Sequence, residues 1–112
     1  MDWKILSDES QLTEIRELSS VSPQLIFKHS TRCATSSMVK QRLERGPAPQ
    51  GLDCYYLDLI KYRNISNEVA SEFHVHHESP QVLLIQRGEC IYEESHIAIT
   101  MAEIENELKK IS

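Results

Sequence analysis

At 112 residues with a formal net charge of −5, the chain has the size of one ordinary domain. It carries the wrong sign of charge for nucleic acid or an anionic membrane to be its main partner. Its composition suits a globular protein with its own apolar core, and no apolar run nears the ~18 residues that a membrane-spanning helix needs. Met1-Asp2-Trp3-Lys4 lacks the basic and apolar regions of a signal peptide. One cytoplasmic domain over 1–112 is therefore expected, with proteins or small molecules as partners.

Taken in order, Trp3 to Leu6 could form a short strand. Ser7-Asp8-Glu9-Ser10 offers capping oxygens, and Leu12, Ile15 and Leu18 recur at helical spacing before Ser22-Pro23, which predicts a first helix over about 8–20. Gln24 to His29, with three apolar residues in a row, reads as a buried strand. A second helix is expected from Ala34 to Arg45, with Met38, Val39 and Leu43 as a loose apolar face and Gly46-Pro47 as its stop. Leu52 to Ile60 has the aromatic and aliphatic content of a central strand. Asn64 and Ser66 could cap a third helix carrying Ile65, Val69 and Phe73. After Pro80, Val82 to Ile85 and Glu89 to Tyr92 flank Arg87-Gly88 as a hairpin. Thr100-Met101-Ala102-Glu103 is a capping-box pattern, opening a last helix whose inner face is Met101, Ile104, Leu108 and Ile111. Parallel strands joined by crossover helices, then a hairpin and a closing helix, predict an α/β sandwich of thioredoxin type.

The chemistry concentrates in His29-Ser30-Thr31-Arg32-Cys33-Ala34-Thr35-Ser36. A cysteine opening a helix can have its pKa drawn from ~8.5 into the range of ~3.5–7.5 by free N–H groups and a neighbouring cation. Arg32 is that cation. In a Cys-x-x-Cys site the second thiol resolves a mixed disulfide internally, whereas Ser36 has only a hydroxyl, so chemistry here is monothiol. Cys33, Cys54 and Cys90 form neither a disulfide framework nor a ligand-spaced zinc site, and a reducing compartment favours a lone reactive thiol that is catalytic or redox-sensing.

The Cys-x-x-Ser after the second strand, the proline before the fourth and the glycine of the hairpin resemble the thioredoxin superfamily. More narrowly, His29 to Cys33, the helix beginning Ser36-Ser37-Met38, and His77-Glu78-Ser79-Pro80-Gln81-Val82 resemble the monothiol bacilliredoxins, whose members often have proline where this chain has Ala34. The resemblance implies a thioredoxin-like three-layer sandwich, with a mixed sheet ending in an antiparallel hairpin and a closing helix. It also implies a thiol-disulfide oxidoreductase that removes bacillithiol from protein mixed disulfides. Cys33 would be the nucleophile and Pro80 a cis-proline beside it. Thr31, Arg32, Ser36, His77 and Ser79 would meet the substrate. No resident cofactor is implied; bacillithiol is the expected co-substrate, and bacillithiolated proteins the expected clients.

Other readings compete. An iron–sulfur carrier of the monothiol glutaredoxin kind would ligate its cluster through Cys33, but those proteins carry glycine and phenylalanine where this chain has Ala34-Thr35. A catalytically idle module would use the groove near Ser79 for extended peptide. Cys54 and Cys90 read as packing residues inside strands. His74, His76 and His77 read as loop residues with no partner to complete a metal site, and His29 as a structural residue with a lesser chance of moving protons.

Overall fold

In the computed structural model, which describes residues 1–111, the chain runs β1 (Trp3–Ile5), α1 (Ser10–Leu18), β2 (Gln24–His29), α2 (Ala34–Leu43), β3 (Asp53–Asp58), α3 (Arg63–Glu72), β4 (Gln81–Gln86), β5 (Glu89–Ser95), a 3₁₀ turn (His96–Ala98) and α4 (Met101–Ile111). The five strands form one sheet ordered β1-β3-β2-β4-β5. β3 runs parallel to β1 and β2, while β4 is antiparallel to both β2 and β5. Among the described residues no helix is long and apolar enough to cross a membrane.

Each face of the sheet has its own apolar layer. Ile26, Tyr55, Leu57, Leu83 and Ile85 meet Leu12 and Ile15 of α1 and Ile65, Val69 and Phe73 of α3. Leu25, Phe27, Cys54, Val82 and Leu84 meet Val39 and Leu43 of α2 and Ile104 of α4. This is the three-layer arrangement that the order of elements predicted. The two central strands are covered on both sides, so Leu25–Phe27 and Val82–Ile85 are continuous apolar runs and not alternating ones.

The hairpin turns at Arg87 and Gly88, with φ of 53° and 78°. A side chain on Gly88 would be strained there, and its Cβ would approach Arg16 Cγ to 3.3 Å. The turn is also held by α1, since Arg87 N–H donates to the Ser19 carbonyl and Gly88 N–H to Ser19 Oγ.

Some expectations are corrected. Met38 is 44% exposed, leaving Val39 and Leu43 as the inner face of α2. Neither Asn64 nor Ser66 caps α3: the helix begins at Arg63, and the Tyr62 carbonyl receives the Ile65 and Ser66 N–H groups. α1 opens without a side-chain cap at Glu9, although Asp8 Oδ1 does accept from Ser10 N–H. Half of the capping box at α4 forms, with Glu103 N–H donating to Thr100 Oγ1 at 3.2 Å. β5 continues three residues past Tyr92 to Ser95.

Candidate active site

Cys33 lies in a tight turn off the end of β2. Its N–H donates to the Ser30 carbonyl, and its own carbonyl receives the first helical bond of α2, from Ser37 N–H. With φ −111° and ψ 119° it is the N-cap residue, so its side chain sits where the first-turn N–H groups of the helix lack internal partners and negative charge is favoured. The thiol is free and the residue half-buried. Thr31 and Arg32 beside it are exposed, and Arg32 forms no hydrogen bond or ion pair with any described residue.

The Ser79–Pro80 peptide is cis. Lys28 of β2 lies opposite Gln81 of β4, so the Cys33 turn and the Ser79–Pro80 segment leave neighbouring strands at the same end of the sheet. Pro80 is buried and Ser79 half-buried, its hydroxyl enclosed without a partner. The Pro80 carbonyl accepts from His96 N–H. Next to it, Glu78 Oε2 meets His96 Nε2 at 3.1 Å, a pair spanning two loops that the sequence reading did not foresee.

Ser36 is not placed to meet a substrate, contrary to expectation. It is 0% exposed, its Oγ accepting from Ser30 N–H at 3.0 Å and lying 2.7 Å from His29 Nδ1. The serine thus ties the first turn of α2 to the end of β2. His29 is held between the rings of Phe27 and Tyr56, with Trp3 stacked on Phe27 beyond. Burial pushes the His29 imidazole below its ordinary range and Lys40 adds to this, while Asp58, Glu44 and the Ser36 backbone oppose it. The histidine is structural in placement, as the sequence suggested, but it acts on the helix that carries the thiol.

His77 is exposed overall, yet its Nδ1 turns to the face covered by α1 and α3. There it meets Lys28 Nζ at 3.2 Å and Ser66 Oγ at 3.3 Å. α2 lies across the sheet, so His77 borders the Ser79–Pro80 segment through the backbone and not through its ring. Lys28 escaped the sequence reading. Its one signal was its position, a lysine inside a strand whose neighbours on both sides are buried.

The other two thiols stand apart from Cys33. Cys54 lies opposite Leu25, and Cys90 opposite Ile85, which is itself opposite Gln24. Leu25 is four residues before His29, or ~13 Å along the strand, whereas a disulfide needs Cα atoms within ~4.4–6.8 Å. Cys54 is buried as expected, but Cys90 is only half-buried because β5 is an edge strand. Burial pushes each thiol up to about 11. Among the described residues no three His, Cys, Asp or Glu side chains converge to hold a metal ion.

Comparison with known proteins agrees with this fold. A putative oxidoreductase with a thioredoxin fold superposes with a TM-score of 0.80 at 25% identity, over 91% of this chain and 89% of the other. The thioredoxin Mala s 13 of Malassezia sympodialis superposes at 0.75 with 15% identity, over 97% and 90% of the two chains. Mitochondrial thioredoxin 3 of Saccharomyces cerevisiae superposes at 0.65 with 18% identity, over 96% and 94%. The latter two share the fold alone. Residues 4–104 match the family described as monothiol bacilliredoxin BrxC. The chain thus belongs to the monothiol bacilliredoxin family and has the thioredoxin fold.

Proposed function

We propose that the protein removes bacillithiol from protein mixed disulfides, with Cys33 as the nucleophile. The observation that carries this reading is a half-buried thiol at the N-cap of α2, at the end of the sheet where Ser79–Pro80 emerges, with both other thiols a strand's length away.

The reaction is two thiol-disulfide exchanges. Cys33 as thiolate attacks the bacillithiol sulfur of the modified client, forming a Cys33–bacillithiol disulfide as the client's own S–S bond breaks. The client sulfur leaves as thiolate and takes a proton from solvent. A second bacillithiol, as thiolate, then attacks the bound bacillithiol sulfur, giving bacillithiol disulfide and regenerating the Cys33 thiolate. Since Ser36 is a buried hydroxyl and no other thiol is near, the second step falls to an external thiol. The Arg32 guanidinium, which pairs with no described residue, and the N-terminus of α2 offer positive charge to the small thiol's carboxylates. The exposed Thr31 supplies a polar contact, and the Ser79 backbone, which bonds to no described residue, is open to a client segment lying along Pro80.

The test is intact-mass spectrometry of a bacillithiolated protein incubated with this protein and free bacillithiol. Wild type should strip the adduct and Cys33→Ser should not; equal loss with both proteins would sink the reading.

A further inference from the structure

Lys28 has no evident place in that chemistry, yet it is one of the largest fully buried side chains in the protein, 0% exposed on central strand β2. A buried ammonium normally lies against a carboxylate. Among the described residues Lys28 forms no ion pair; Glu93 is the acid that influences it, without contact. Its Nζ donates instead to the Ser66 carbonyl of α3 at 3.0 Å and to His77 Nδ1 at 3.2 Å. The amide of Gln81, opposite it on β4, donates to the His76 carbonyl at 3.0 Å and leaves its own oxygen unpaired.

These bonds converge on one segment. From the end of α3 to Pro80 the chain has no regular structure, and His74 within it has a φ of 56°. The ties to this stretch from the body of the fold include the packing of Phe73 and Val75 on the layer beneath α1 and α3, Val75 N–H to the Ala70 carbonyl, His96 N–H to the Pro80 carbonyl and the exposed Glu78–His96 pair, while the side-chain ties to its middle are Lys28 to His77, Ser66 to His77 and Gln81 to His76. Three residues after His77 comes Pro80. β2 therefore controls both halves of the site: it runs directly into the Cys33 turn, and one residue before its end it grips the segment that delivers Ser79 and Pro80.

We propose that Lys28 is a positioning residue for thiol exchange: through neutral His77 it holds the Ser79–Pro80 segment beside Cys33, and acid releases that hold. The proposal rests on the reading of Ser79–Pro80 as client-facing. An ammonium has donors only, so His77 Nδ1 must accept and the imidazole must be uncharged, with its proton on Nε2. Burial pushes His77 below its ordinary range, helped by Lys28, by Arg63 of α3 and by the adjacent His76, and opposed by Glu78. Burial pushes Lys28 down to about 8, opposed by Glu93 of β5. At neutral pH a charged lysine thus faces a neutral imidazole. As pH falls through the titration of His77, two cations face each other and the bond is lost.

Amide hydrogen exchange tests this at about pH 7.5 and about pH 4.5, after correction for intrinsic rates, at the two amides whose bonds depend on the segment: Val75, donating to the Ala70 carbonyl, and His96, donating to the Pro80 carbonyl. At the higher pH, Lys28→Met and His77→Leu should each exchange ~10-fold faster than wild type. His77→Asn keeps an acceptor at the place of Nδ1 but cannot be protonated, so it should stay protected at both pH values, while wild type loses protection at the lower one. In turnover with a bacillithiolated client, Lys28→Met should raise KM several-fold and leave the alkylation rate of Cys33 by iodoacetamide unchanged. The proposal is overturned if His77→Asn exchanges as fast as His77→Leu, if wild-type protection is the same at both pH values, or if folded Lys28→Met stays protected. Should Lys28→Met fail to fold, the two His77 variants decide alone. A wild type that removes no adduct would sink the proposed reaction while the exchange comparison still decides the role of Lys28.

Discussion

The two ends of β2 are built on different principles. At the end that runs into Cys33, Lys28, His29, Ser30, Ser36, Ser66 and Gln81 account for six of the eight buried polar side chains among the described residues. At the other end the buried polar residues are Ser19 and Gln24. There Ser19 staples α1 to the hairpin, and a hollow of about 490 Å³ opens beside Pro23, Pro49, Leu108 and Ile111. Each polar group taken from water costs free energy unless it is paired, so a fold selected for stability alone would not gather them at one end. In the proposed reaction the polar end is the end that needs fixed geometry, because it would present the thiol and the cis-proline together. Polar groups there should govern activity, and polar groups at the far end should govern stability alone.

The largest expected effect is chemical. Cys33→Ser should lower adduct removal at least ~100-fold, since the nucleophile itself is lost, while Cys54→Ala and Cys90→Ser should leave the rate within about twofold because both thiols lie a strand's length away. Initial rates followed by mass spectrometry check this, and a large loss with Cys90→Ser would break the comparison.

Ser36→Ala comes next. It strips partners from the Ser30 N–H and from His29, both buried, and should cost roughly 1–3 kcal/mol in urea denaturation. Because that bond anchors the first turn of α2, turnover should fall as well. Unaltered turnover would show that the serine is only packing.

Lys28→Met should do the opposite to stability. It replaces a buried charge lacking a carboxylate partner with an apolar chain of similar length, so at pH 7 the variant should be more stable by ~1–2 kcal/mol. The sign of the pH dependence follows from the lysine being pushed down to about 8 from 10.5 in the native state. Between those values the unfolded chain binds more protons than the folded one, so wild type gains stability as pH rises. The advantage of Lys28→Met should be full below about pH 8 and shrink above it. An advantage that grows with pH would mean that Lys28 is not buried as a cation.

The smallest effect belongs to the far end. Ser19 Oγ donates to the Arg16 carbonyl at 2.6 Å and accepts from Gly88 N–H at 2.8 Å. Ser19→Ala should cost about 1 kcal/mol with turnover unchanged. A drop in turnover would blur the division between the two ends.

Local patterns showed as much of this as local forces decide. Leu25–Phe27 and Val82–Ile85 were legible as strands because both faces of β2 and β4 are covered, and the Cys33 turn because a strand, a break and a helix follow one another directly. The start of α3 was not legible: it is set by Tyr62, and by Asp58 Oδ1 accepting from Ile60 N–H just before it, where Asn64 and Ser66 looked the better caps. The family resemblance places Ser36 among the substrate contacts, whereas the helix geometry points it at the buried His29. Lys28 carries no local signal, since lysine is seldom buried and its partner His77 is 49 residues away. The polar network at the active end is held by long-range pairs, which no local pattern encodes.

The most direct measurement mixes a bacillithiolated client with one equivalent of this protein, without free bacillithiol, and reads the mass of both chains together with a peptide map. The expected result is one bacillithiol transferred to Cys33, with Cys54 and Cys90 unmodified and the client thiol free. A client that keeps its adduct, or loses it while Cys33 stays unmodified, would contradict the central claim.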